Sequence, residues 1–200
     1  MLQGPSHAIG AYDHPQYATR PTDHPTPPAT CAAFPVAIAG PSVSGDLALR
    51  PLTAADFAEA RAVADAWFGR PVGLTMHRLF FDQLGPAGLR AAAVSAPGRM
   101  LGVLLGFASL AEPELAYIHF VMVDPAARER GIAGALNREF GHRMTTQGCR
   151  RVRTLAAPTN GRSLRFHESL GFVGTFASEF VGPGQDRVVF ERSLPFAPAS

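Results

Sequence analysis

Residues 117–136 read Tyr-Ile-His-Phe-Val-Met-Val-Asp-Pro-Ala-Ala-Arg-Glu-Arg-Gly-Ile-Ala-Gly-Ala-Leu. The apolar run Tyr117–Val123 stops at Asp124-Pro125. Proline cannot donate to a central ladder, so a strand ends there and a turn begins. Helical periodicity follows, with Ile132, Leu136, Phe140 and Met144 recurring at fours along one face. Between strand and helix lie Arg128, Arg130, Gly131, Ala133 and Gly134. The first turn of a helix carries unpaired N–H groups and the positive end of the helix dipole. Small residues let an anion approach that backbone, and the arginines add charge. The stretch is built to hold a phosphate or pyrophosphate. The plainer alternative is a strand–turn–helix whose small residues only permit tight packing.

Neither common nucleotide loop is present. There is no G-x-x-x-x-G-K-[ST], and the order here is R-x-x-G-x-A-G rather than G-x-G-x-x-G. Working outward, 200 residues with a 46% hydrophobic fraction suit one domain with a proper core and something left over. A net charge of +2 implies no general affinity for nucleic acid or an acidic membrane. Lysine is absent, so every basic side chain other than histidine is an arginine. Cys31 and Cys149 make neither a disulfide framework nor a metal-ligand spacing, so no metal is expected. No apolar run approaches the roughly 18 residues of a membrane span, and the N-terminus lacks the basic and apolar regions of a signal peptide. A cytoplasmic location is the default expectation.

Residues 1–44 are rich in proline and poor in large aliphatics, which predicts a disordered tail. His7, His14 and His24 are too scattered there for a metal site. The folded domain is expected over 45–195, with 196–200 as a second tail. Leu47–Leu52 alternates like a strand, and Thr53 with Asp56 resembles a capping box opening a helix over 54–68. A second helix is expected over 75–84. Residues 90–95 and 100–110 form a hairpin, followed by a strand at 115–123 and a helix over about 130–147. A strand at 151–157 lies parallel to 115–123 if the crossover is right-handed. A short helix at 161–170 and strands near 172–181 and 187–194 complete an α/β chain with a mixed sheet flanked by helices.

Asn160-Gly-Arg-Ser-Leu-Arg-Phe-His-Glu-Ser-Leu-Gly-Phe172 supplies the second motif. An asparagine ahead of a short helix that ends in aromatic-x-x-Leu-Gly-Phe resembles one signature of the GCN5-related N-acetyltransferases (GNAT). V-x-P-x-x-R-x-x-G-x-A/G-x-x-L at 123–136 resembles the other, the family's acyl-CoA motif. Leu49-Arg-Pro-Leu-Thr-x-x-Asp56 is a softer likeness, and together these cover about 46–194.

The resemblance implies the GNAT fold and transfer of acetyl from acetyl-CoA to a primary amine. The attack would be direct, with no covalent enzyme intermediate. The pantetheine arm would add as a pseudo-strand to the edge of 120–123, on the backbone of Val121 and Val123. A backbone N–H near Met122 or Val123 would face the oxyanion. The pyrophosphate would meet the N–H groups of Arg128, Glu129, Arg130, Gly131, Ile132, Ala133, Gly134 and Ala135. Asn160 would reach the pantetheine, with Ser163 and Phe166 walling the cofactor. His167 stands where the family often has a tyrosine that protonates the departing thiolate, so it is a candidate acid. His119 and Tyr117 are candidates for the base, on one face of their strand by alternation. The acceptor, a small-molecule amine or a peptide amine, is not written in the sequence. A homodimer is compatible with the resemblance. A catalytically silent acyl-CoA sensor or interaction module is the alternative function.

Overall fold

The computed structural model describes residues 41–196. The expected tail lies outside the described residues up to position 40, together with Cys31 and its three histidines. Its last residues are different: Ser42–Ser44 is a short strand, β1, antiparallel to β2 (Leu47–Pro51). Gly45 makes the tight link with φ 62°, and the pairing gives these residues a ladder that proline content further upstream had argued against.

Helix α1 (Asp56–Phe68) begins two residues later than expected. The Thr53 hydroxyl does not accept from the helix. Instead the Asp56 carboxylate accepts from the Thr53 N–H (2.8 Å) and hydroxyl (2.9 Å), the returning half of a capping box. The predicted helix over 75–84 is divided. A 3₁₀ turn, Gly73–Met76, precedes α2 (Arg78–Leu84), because His77 is extended and its Nδ1 accepts from the Leu79 N–H at 3.1 Å. The remaining elements are β3 (Leu89–Ala93), β4 (Gly102–Ala108), β5 (Leu115–Val123), α3 (Ile132–Thr146), β6 (Arg151–Ala156), α4 (Gly161–Ser169), β7 (Val173–Ala177) and β8 (Arg187–Ser193).

The strands form one sheet in the order β1-β2-β3-β4-β5-β6-β8-β7, antiparallel except for the β5–β6 pair. Helices cover both faces. On one side the stripe Ile132, Leu136, Phe140 and Met144 of α3 is fully buried against Leu49, Leu104, Ile118 and Val152. On the other, Ala60 and Ala64 of α1 and Phe81 of α2 pack on Val103, Leu105, Phe120 and Met122. A buried arginine fixes α1: Arg90 of β3 bonds Asp56 and Glu59 on the helix and the carbonyl of Gly98. A buried guanidinium is stable only when matched in this way.

Two irregularities shape the centre of the sheet. The β4–β5 register pairs Leu105 with Phe120 but Gly106 with Ile118, so His119 is an extra residue, a β-bulge. Side-chain parity switches there: Ile118 enters the layer under α3, whereas Phe120 enters the layer under α1. Gly106 tolerates no side chain, since a Cβ would lie 2.6 Å from both the Phe140 ring and the Tyr117 carbonyl oxygen. The second irregularity is a fork. The β5–β6 pairing runs only from Leu115–Arg151 to Ile118–Thr154, while β6 stays bonded to β8 as far as Ala156. Beyond Ile118 the far edge of β5 has no strand beside it among the described residues.

Candidate active site

A cavity of about 520 Å³ opens beyond the fork. Val121, Met122 and Val123 of β5 form one wall; Asn160, Arg162, Ser163 and Phe166 at the start of α4 form another. Trp67 and Phe68, at the end of α1, close a third side. The floor is the turn into α3, with Ala127, Arg128, Glu129, Gly131, Ile132, Ala133 and Gly134.

The β5 wall presents backbone. The Asp124 N–H donates to the Leu101 carbonyl across β4 at 2.9 Å. Backbone groups alternate sides along a strand, so Met122 also addresses β4, and Val121 and Val123 turn their N–H and C=O groups to the open edge. Of the N–H groups expected near the oxyanion, that of Met122 is turned to β4, whereas that of Val123, with Val121 beside it, faces the open edge.

The turn is set locally. Asp124 Oδ1 accepts from the Ala126 N–H at 2.9 Å, and Arg99 donates to Oδ2 at 2.8 Å. These bonds hold the Asp124 carboxyl below the usual carboxylate range. Glu129 (φ 66°) and Gly131 (φ 74°) are both left-handed, and this double reversal aims the start of α3 into the cavity. No acid sits in that first turn. Unpaired N–H groups at a positive helix end, with Arg128 and Arg162 nearby, make an anion cradle. The Ala135 N–H is already bonded to the Gly131 carbonyl at 2.9 Å, and Ala135 is buried outside the lining. Arg130 points elsewhere, pairing with Asp46 at 2.9 Å on the surface. Arg128 lines the cavity and donates to the Trp67 carbonyl at 2.6 Å.

Asn160 caps α4, its Oδ1 accepting from the Ser163 N–H at 3.2 Å. That bond fixes the helix whose first turn faces the cradle. Arg162, beside it, was not singled out in the sequence. Its signal was available: a further arginine inside the asparagine motif, in the first turn of α4, the second helix to turn its N-terminus to the cavity.

The candidate catalytic side chains fall in three different places. His167 is buried and lies outside the cavity lining. Its Nδ1 meets the Ser163 carbonyl at 2.8 Å, and its ring stacks on Phe190 at 5.0 Å and meets Phe172 edge-on. Burial lowers its pKa, against the backbone hydrogen bond that raises it. The residue expected as an acid at the cofactor therefore packs in the core beneath α4 and not on the cavity wall. Tyr117 is also outside the lining; its hydroxyl accepts from Arg153 at 2.8 Å. His119, likewise outside the lining, is exposed on the bulge two residues before Val121 of the cavity wall and one past the last β5–β6 pair, with Phe80 of α2 at 5.9 Å. Tyr117 and His119 do share the α2 side of the sheet. Among the described residues no cluster of His, Cys, Asp and Glu could hold a metal, and no helix is long and apolar enough to cross a membrane.

The paired motifs, the forked sheet and the cradle converge on one family. A family model described as acetyltransferase (GNAT) family matches residues 57–172, and the chain belongs to that family. No curated protein matches it by sequence. Solved structures share the fold at low identity. Ard1 from Thermoplasma volcanium is 18% identical over 74% of this chain and 97% of its own, with TM-score 0.63. Salmonella typhimurium yncA, solved with its cofactor acetyl-CoA, is 17% identical over 78% and 98%, with TM-score 0.57. Diaminobutyrate acetyltransferase EctA from Paenibacillus lautus, in complex with L-2,4-diaminobutyric acid and coenzyme A, is 20% identical over 78% and 99%, with TM-score 0.58.

Proposed function

We propose that this protein transfers an acetyl group from acetyl-CoA to a primary amine by direct attack within a ternary complex. The observation that carries the reading is a single continuity: the unpaired edge of β5 leads straight to the open N-terminus of α3. A linear diamide arm ending in a diphosphate matches that sequence of features, amide partners first and anion cradle second. Val121 and Val123 would bond the arm; Gly131, Ile132, Ala133 and Gly134 with Arg128 and Arg162 would hold the diphosphate. Phe166 and Ser163 would wall it.

The neutral amine approaches from the α2 side of the fork. Its nitrogen bonds to the acetyl carbonyl carbon as the carbon–sulfur bond breaks, and one amine proton is lost while CoA leaves as the thiol. The Val121 N–H, on the open edge nearer His119, faces the developing charge on the carbonyl oxygen, while the Val123 backbone bonds the arm. His119 is the proton acceptor, directly or through water, since imidazole is the side chain suited to that task near neutral pH. Water can return the proton to the leaving thiolate. A thiolate with a pKa near 8.5 leaves readily, so no dedicated acid is required.

The burial of His167 favours one second reading, a domain that binds acetyl-CoA without turning it over. Melting the full chain with acetyl-CoA, CoA and ATP tests the cofactor: the two CoA species should raise the Tm, and ATP should not. Gly131→Glu should abolish the rise in a variant that still folds. His119→Ala should then lower kcat about 100-fold or more with the KM for acetyl-CoA unchanged. Binding of acetyl-CoA with no release of CoA thiol in the presence of any amine would favour the silent domain. No rise with either CoA species would sink both readings.

A further inference from the structure

This inference rests on the acetyl-transfer reading and concerns what the amine is attached to. The side of the fork facing α2 is aromatic. Phe80 is 44% exposed although it is a large apolar side chain, and its ring meets His119 edge-on at 5.9 Å and His77 at 6.0 Å. His119 in turn lies 5.6 Å from Phe120. Below the bulge the same face continues with Tyr117 stacked on Phe107 at 5.5 Å and 11°. On the other arm of the fork, Arg153 bonds Tyr117, so Leu155, two residues along β6, shares its face. Val189 of β8 lies opposite Leu155 in register, and both are half-buried.

The carboxylates bordering this surface are already matched. Glu191 pairs with Arg153 and Arg151, and Asp82 pairs with Arg78 at 2.7 Å. A polyamine or diamine would bring a second cation to a face whose acids are engaged and whose row includes a guanidinium. A ring or bulky apolar group would instead find an aromatic edge and an aliphatic arm. We propose that the acceptor is a primary amine carried on an aromatic or bulky apolar body, an arylalkylamine in class. Its ring would lie against Phe80 and its nitrogen would reach His119 at the fork.

The test uses the full chain with saturating acetyl-CoA and follows thiol release with 2-phenylethylamine, spermidine and an alanine-initiated peptide. The expected result is a kcat/KM for 2-phenylethylamine at least tenfold above the other two. Phe80→Ala should lower that value about tenfold through KM, as loss of aromatic contact predicts, leaving kcat and the KM for acetyl-CoA within twofold. Phe80→Glu, at the same exposed position, should shift the preference toward spermidine. Preference of the wild type for spermidine or the peptide overturns the assignment and leaves acetyl transfer standing. A Tm rise with acetyl-CoA but no turnover of 2-phenylethylamine also overturns it. Absence of that rise overturns the underlying reading as well.

Discussion

The Arg128 guanidinium donates to the carbonyl oxygen of Trp67 at 2.6 Å, joining the loop ahead of α3 to the last turn of α1. That carbonyl belongs to a helix end, where oxygens lack intrahelical partners and the dipole is negative. Gly69 and Arg70 satisfy the neighbouring carbonyls of Ala66 and Asp65. One side chain thus caps α1 and borders the anion cradle. Arg128→Ala should lower stability by roughly 1–3 kcal/mol, about 3–10 °C in Tm, and weaken acetyl-CoA about tenfold. Melting with and without the ligand separates the two effects. Unchanged stability in the ligand-free protein would show that the cap contributes nothing.

Gly106 is a packing requirement at the bulge. A methyl group there would meet Phe140 and the Tyr117 backbone, and the backbone cannot swing aside. Gly106→Ala should cost about 3 kcal/mol in urea denaturation, at the upper end of overpacking. Gly98→Ala, where a Cβ meets nothing within 4 Å, should lie within about 0.5 kcal/mol of wild type. Equal effects at the two sites would refute the account of the bulge.

Asp56 links stability to acid. Burial would raise its pKa from the ordinary 3.8, but the hydrogen bonds from Arg50 and Thr53 outweigh it and bring it down to about 2. A carboxyl with a depressed folded pKa contributes stability above its unfolded pKa and loses it as pH falls through the folded value. Roughly 2 kcal/mol should therefore disappear between about pH 4 and pH 2. Asp56→Asn should be destabilised at pH 7 and show a flatter acid limb. An unchanged limb would place the linkage elsewhere.

His167 carries the opposite test of a role. Burial holds its folded pKa below the ordinary 6.5, so the unfolded chain binds the proton first. Its contribution is complete above about pH 6.5 and declines as pH falls from there toward the folded value. His167→Phe should remove that part of the stability profile. Its kcat should stay within threefold of wild type, measured by thiol release. A loss of 100-fold or more in kcat, with cofactor binding intact, would restore the histidine as an acid.

Much of the architecture was legible because burial patterns leave regular marks. The α3 stripe recurs at fours, Asp124-Pro125 stops a strand, and glycines close the helices. What was hidden depended on partners distant in sequence. Ser42–Ser44 became a strand only through β2, and Arg90 sits in the interior because α1 brings acids to it. The bulge at His119 has no local signature, yet it sets which side of the sheet every later residue of β5 faces. Within the site, the small residues around Gly131 marked the turn that forms the cavity floor. Arg130 and His167 did not declare their directions: a surface aspartate from the first hairpin takes one, and Phe190 of β8 with Phe172 encloses the other.

The fork has a further consequence for the behaviour of the chain with other proteins. An open strand edge invites another polypeptide to add to it, which is a route to aggregation. Here that edge is short, lies in the middle of the sheet, and is flanked by α4 and the start of α3. A second strand would have to bring side chains of its own into that gap. A slender unbranched chain with widely spaced amides would not. A recess that would admit such a chain also screens the edge from neighbouring strands, so selectivity for the guest and protection of this edge would arise from one dimension of the sheet.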